Sequence, residues 1–188
     1  MGDPIRLRRK YITPTQPWER ARISEENKIV RQYGLKSKTE LWKVEAELRK
    51  YRRLARQLIG AHGAEADKKK KILIEKIARI GLLPQTANLD NVLSLEVRDL
   101  LERRIQTLVY KKGIATSALD ARQLITHGHV SYRGAVHTTP GTLIPKVDET
   151  KIVYVGPARV KIATEAEATP ILAGQAPQAQ KEEVQEVE

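Results

Sequence analysis

The chain has 188 residues, 34 Lys and Arg against 23 Asp and Glu, a formal charge of +11, and neither cysteine nor phenylalanine. That length suits one ordinary domain or two small ones and is short for a large multidomain enzyme. Without cysteine there is no disulfide framework, zinc ribbon, thiol nucleophile or iron–sulfur cluster, which fits a reducing compartment.

Met1–Lys10 is charged and has no apolar core, so the sequence predicts no secretory leader. No window approaches the roughly 18 apolar residues of a membrane span, and a cytoplasmic protein without membrane contact is expected. The charge is uneven. Lys161–Glu188 holds two basic residues (Lys161, Lys181) and six acidic ones (Glu165, Glu167, Glu182, Glu183, Glu186, Glu188). The positive excess therefore lies in the first 160 residues, which points to a polyanionic partner.

Residues 1–23 carry Arg6, Arg8, Arg9 and Lys10 among Pro4, Pro14 and Pro17. Proline removes backbone donors and restricts the residue before it, so an extended basic arm is expected, of the kind that orders along a phosphate backbone. From Ser24, with Glu25, Glu26 and Asn27 as a capping turn, a helix should run to Tyr33 and stop at Gly34. Leu41, Val44, Leu48, Tyr51, Ala55 and Leu58 then step by three and four, one apolar stripe on a long helix that Ser37 or Thr39 caps and Gly60 follows. Arg49, Arg52, Arg53 and Arg56 fall on an arc beside the stripe. A solvated helix face normally interleaves acidic partners with its cations; this arc lacks them, so it reads as a phosphate-binding face.

His62–Asp67 reads as a break with Asp67 as cap. Lys68, Lys69, Lys70 and Lys71 then open a third helix, with Leu73, Ile77 and Ile80 inside and Gly81 as the stop. Cations in a first turn oppose the helix dipole, so these lysines read as serving a partner. Leu83–Asn91 looks like a connector, which makes 24–91 a helical domain.

Residues 92–160 form a second domain. One helix is expected from about Val92 through Val97, Leu101, Ile105 and Leu108 to Lys112, flanked by Arg103, Arg104, Lys111 and Lys112. Ser117 to Asp120 has capping-box spacing and starts a short helix, Ala118–Thr126, with Ala121, Leu124 and Ile125 inward. Beyond Gly128 the pattern becomes strand-like: Val130 and Tyr132 alternate with polar neighbours, Arg133-Gly134 can turn, and Ile152–Val155 is β-branched. The fold class is α+β: a mostly helical basic N-terminal domain, a module of two helices and a small antiparallel sheet, and a disordered acidic tail over 161–188.

Catalytic constellations are scarce. His62, His127, His129 and His137 have no carboxylate support for a metal between Asp120 and Asp148, and no phosphate-loop or nucleophile-elbow motif occurs. No metal, cofactor or small-molecule substrate is expected, and no catalytic residue. Binding chemistry is better supplied. Arg104, Lys111, Arg122, Gln123, His127, His129 and Arg133 can surround one rim, where guanidinium forks suit phosphates and imidazole or amide groups suit base edges and 2′-hydroxyls. For Arg122 alone, a surface ion pair with Asp120 or Asp99 is an equal alternative.

Leu101–Gly113 (LERRIQTLVYKKG) and Ala121–Val130 (ARQLITHGHV) resemble the RNA-binding module of small-subunit ribosomal protein S-four. Lys10–Pro14, Pro17-Trp18, Tyr33–Trp42 and Leu48–Leu58 resemble the archaeal branch of that family, over about Gly2 to Val155. The resemblance implies a structural, non-enzymatic binder of the 5′ domain of small-subunit rRNA that nucleates assembly. It also implies a place where mRNA enters, beside proteins of the S-five and S-twelve families, with consequences for translational accuracy. By position it assigns RNA contacts to Arg104, Lys111, Ser117, Arg122, Gln123, His127 and His129. The hairpin departs from the family pattern at Tyr132-Arg133-Gly134 and Pro140–Ile144. Rival readings are an RNA-modifying enzyme anchored by the same module and a free RNA chaperone.

Overall fold

The computed structural model describes residues 9–157. Arg6, Arg8 and the acidic tail lie outside them. The element order is α1 (Arg20–Gln32), α2 (Lys38–Ile59), α3 (Ala64–Ile80), α4 (Leu89–Ser94), α5 (Val97–Glu102), α6 (Ile105–Lys111), α7 (Ala118–Thr126), β1 (Val130–Tyr132), β2 (Ala135–Val136), a 3-10 segment (Lys146–Lys151) and β3 (Ile152–Tyr154). Mostly helical, with one small antiparallel sheet ordered β2-β1-β3, it is an α+β fold. Among the described residues no helix is long and apolar enough to cross a membrane.

The first helix begins at Arg20, one turn before the Ser24 start expected from capping chemistry. Tertiary contacts pull it forward. The Arg22 guanidinium donates to the carbonyls of Gln16 (2.9 Å) and Pro17 (3.0 Å) and pairs with Glu26, pinning the proline-rich segment to the first turn. Glu26 is buried between α1 and α2 and also accepts from Trp42 Nε1 at 3.1 Å, with the Lys38 ammonium 3.2 Å away. Burial pushes its carboxyl up, but the bonds from Trp42, Arg22 and Lys38 bring it below the usual range.

The apolar stripe of α2 is the spine of the helical half. Leu48, Tyr51 and Ala55 pack with Leu73 and Ile77 of α3, Val92 of α4, Leu95 and Leu100. The long helix expected to end at Ile59 does so, and α3 stops at Gly81, where φ is 85°. However, α3 starts at Ala64 after Gly63, not at Asp67. Its first turn is acidic (Glu65, Asp67), and Lys68–Lys71 stand in the second turn, outside the expected conflict with the dipole.

The single helix expected from Val92 to Lys112 is three short ones, α4, α5 and α6. A strand-like bridge between Arg104 and Leu143 interrupts it: Ile105 donates to the Thr142 carbonyl at 2.9 Å and Ile144 to that of Arg103 at 3.0 Å. Those distant partners take the backbone groups an uninterrupted helix would need. By contrast, α7 spans Ala118–Thr126 as its local signals predict, with Ser117 Oγ accepting from Asp120 N at 3.1 Å and Ala121, Leu124 and Ile125 buried. These three share a core with Ile105, Leu108, Val109, Val130, Ile144 and Ile152. In the β1–β2 hairpin, Arg133 (φ 54°) and Gly134 (φ 81°) make the two-residue turn expected there, its left-handed pair matching the twist of the strands.

A third cluster, Tyr33, Leu35, Leu41 and Leu101, joins the halves. Above it the buried Gln106 amide nitrogen shares its two hydrogens among the carbonyls of Tyr33 (3.1 Å), Gly34 (3.0 Å) and Ala118 (2.8 Å). Gly34 has φ 59°, and a Cβ there would lie 2.9 Å from the Ala118 carbonyl carbon and 3.0 Å from the Leu119 nitrogen. Both are backbone atoms that cannot swing aside. Gly34→Ala is expected to cost about 2 kcal/mol, combining left-handed strain with displacement of α7. Urea titration should show a lower midpoint at unchanged m-value.

Candidate nucleic-acid interface

The α2 stripe that faces the core also sets what faces away. Arg49, Arg53 and Arg56 sit at i, i+4 and i+7, so they share one face, and all three are exposed. Among the described residues none of the three is in an ion pair within 4 Å. Arg52 differs. It is half-buried, and its guanidinium donates to the Leu95 carbonyl, strapping α2 to the α4–α5 junction. In α3, Lys69 is exposed, while Lys68 is 3.5 Å from Glu65 and Lys70 is 3.2 Å from Asp67. Arg9 and Lys10 are exposed at the start of the described chain.

The module's cations are arranged differently from the expected rim, because several turn inward. Arg104 is only 4% exposed; it donates to Glu40 Oε2 at 2.7 Å, and its Nε and Nη1 have no partner. Arg122 reaches the same carboxylate, at 2.7 Å to Oε1 and 3.2 Å to Oε2. One α2 glutamate thus holds two arginines of the module. Burial pushes the Glu40 carboxyl up, but hydrogen bonds from Arg122 and Arg104 overcome it and hold the group below the usual range. Arg103 pairs with Glu149 and donates to the Ile144 carbonyl at 3.0 Å. Lys112 donates to the carbonyls of Glu149 and, at 3.4 Å, Ile152, while Lys111 pairs with Glu102 at 3.0 Å. In this structure Arg103, Arg104 and Arg122 brace the protein; they do not line an open rim.

What the module presents outward is Gln123 and His127, both exposed on the last turn of α7 and its exit, with half-buried His129 beyond. The two imidazoles stack at 6.4 Å, and Tyr154 lies 6.4 Å from His129. Ser117 is exposed, although its hydroxyl is engaged as the α7 cap. On the hairpin, Arg133 lies over the Tyr132 ring at 5.3 Å and shares the buried Asp148 with Lys151 (2.7 Å). Bonds from Lys151 and Arg133 hold the Asp148 carboxyl well below its usual range. About half the Arg133 side chain remains open to solvent.

Three outward-facing sets result: an arginine face on α2, the polar and aromatic group of Gln123, His127 and His129 at the exit of α7, and Arg133 at the other end of strand β1. Guanidiniums without counter-ions suit phosphates; stacked rings and an amide suit sugars and base edges. Among the described residues no three His, Asp or Glu gather where a metal could sit. Charge counting missed Glu40, Gln106 and Asp148, acidic or amide groups that hold the two halves and the hairpin. The signal for Glu40 was its place one helical turn before Val44, a member of the apolar stripe of α2.

This two-helix-and-sheet unit falls within a known class: residues 103–148 match the family model described as the S4 domain. Across the longer chain, the protein is 46% identical to the small ribosomal subunit protein uS4 of Ignicoccus hospitalis, over 82% of this chain and 93% of that one. It is 45% identical to the uS4 protein of Methanoregula boonei (91% and 95% covered) and 48% identical to that of Thermoplasma acidophilum (82% and 79% covered). The chain belongs to the uS4 family of small ribosomal subunit proteins.

Proposed function

We propose that the protein is a structural component of the small ribosomal subunit that binds small-subunit rRNA directly. It would dock on the 5′ domain, nucleate assembly and lie near the point of mRNA entrance in the cytoplasmic ribosome, beside S-five and S-twelve family proteins, with an influence on accuracy. The observation carrying this reading is the trio Arg49, Arg53 and Arg56: three exposed guanidiniums on one face of α2, none in an ion pair within 4 Å among the described residues, with Glu45 one turn before Arg49 as the acidic residue on that face. Gln123, His127 and His129 are the proposed second contact; Lys111, Arg133, Arg9, Lys10, Lys68 and Lys69 extend the charged surface, with Arg6 and Arg8 assigned to the arm by sequence alone. The relatives carry ribosomal-protein names, and no observation favours an RNA-modifying activity.

The test is filter binding of the full chain to small-subunit rRNA across a salt series. Each neutralised phosphate adds roughly 0.7–0.9 to the log–log slope, so six contacts predict about −4 to −5. A slope flatter than about −1, or equal affinity for large-subunit rRNA, overturns the proposal.

A further inference from the structure

The chain has two tryptophans, and the structure treats them in opposite ways. Trp42 is integrated: its indole N–H donates to Glu26 at 3.1 Å and its ring lies 6.0 Å from Tyr11. Trp18 is 88% exposed, the most exposed large apolar side chain among the described residues, with no hydrogen bond or ring contact there. A free indole in water forgoes the burial that makes tryptophan favourable in a fold. Its backbone is nonetheless held: Arg22 donates to the carbonyls of Gln16 and Pro17 immediately before it, and Pro17 fixes its own φ. The ring therefore stands on an anchored segment just ahead of α1, so little backbone entropy is lost when something covers it.

We infer that Trp18 is a stacking platform for an unpaired nucleobase of the bound RNA. This rests on the rRNA-binding reading and adds a residue and a kind of contact that cation counting does not supply. Two features favour a base over a partner protein. Arg9, Lys10 and Arg20 are exposed on the same stretch of chain, against one exposed carboxylate, Glu19, which lies 3.8 Å from Arg22; this net cationic setting draws the sugar–phosphate backbone and leaves the base to find an aromatic face. An anchor for a protein would sit in a rim of apolar neighbours; among the described residues of the segment, Ile12 is the only other exposed large apolar side chain.

The experiment uses the full-length protein, its Trp18→Phe and Trp18→Ala variants, and a small-subunit rRNA transcript. Trp18→Phe keeps a π face and leaves Trp42 as the lone emitter, so the difference from wild type reports Trp18 alone. RNA is expected to quench that difference emission. Trp18→Ala should weaken binding about tenfold and Trp18→Phe at most severalfold, with the salt slope unchanged because no charge is removed. Thermal melts of both variants should match wild type. Unmoved Trp18 emission together with unchanged Trp18→Ala affinity, while wild type still binds rRNA, overturns the stacking role alone. Emission that responds to RNA-free small-subunit proteins and not to RNA overturns it in favour of a protein anchor. A wild-type chain that does not bind rRNA overturns both readings.

Discussion

Glu40→Ala is expected to lower stability by about 3 kcal/mol, because breaking a buried ion pair leaves uncompensated charge; here it leaves two arginines, one of them 4% exposed. For a chain of this size that corresponds to a fall in Tm of roughly 10 °C. The loss should appear as one earlier transition, since Glu40 stands on α2 and its partners belong to the module. Glu40→Gln should cost less, as it keeps an acceptor without the charge. The pH dependence has a definite sign. Glu40 titrates lower in the folded chain than in the unfolded one, so its contribution is complete above the ordinary carboxylate range and fades as pH falls through the folded value. Thermal melts from neutral to acid pH should therefore show a shallower loss for Glu40→Gln than for wild type, with the remaining slope carried by Glu26 and Asp148. A Glu40→Ala protein that melts with wild type would mean the two arginines are held by something else.

Removing Arg49, Arg53 and Arg56 together should leave the melt in place and reduce rRNA affinity by roughly 10- to 100-fold at moderate salt, with the log–log slope about 2 to 2.7 shallower. All three are exposed and alanine is a better helix former, which offsets the loss of the Arg49 charge beside Glu45. Arg52 must stay out of this set. The arc as read from sequence includes it, but its bond to the Leu95 carbonyl makes Arg52→Ala a stability variant. Equal affinity of the triple variant, measured by filter binding at two salt concentrations, would remove the α2 face from the interface.

These cases show which parts of the structure could be read from the chain. Helix α7 was legible to the residue because its cap, apolar face and stop all lie within a dozen positions. The α2 stripe was legible for the same reason. The break between α5 and α6 was not, since the groups that cause it, Thr142 and Ile144, are nearly forty positions away and act through backbone bonds that leave no compositional trace. The start of α1 was missed because Arg22 reaches backward to carbonyls, which any sequence supplies. For the interface, the positive charge was visible but its direction was not. Whether an arginine faces water or a carboxylate depends on partners 64 and 82 positions distant, as with Glu40 and its two guanidiniums. On the outer face of α2, where Arg49, Arg53 and Arg56 are exposed and, among the described residues, in no ion pair within 4 Å, charge pattern and structure agree.

The joint made by Gln106 has a consequence for how this protein can vary. Its three acceptors are main-chain carbonyls at positions 33, 34 and 118, which persist whatever side chains those positions carry. Substitution at Tyr33 or Ala118 therefore leaves the hinge-side hydrogen bonding in place, whereas position 106 has no equivalent replacement of the same reach and polarity. A lineage could remodel most of its outer surface under changing demands and still keep the main-chain contacts that this amide makes across the joint, beside the Tyr33–Leu101 cluster and the Glu40 ion pairs.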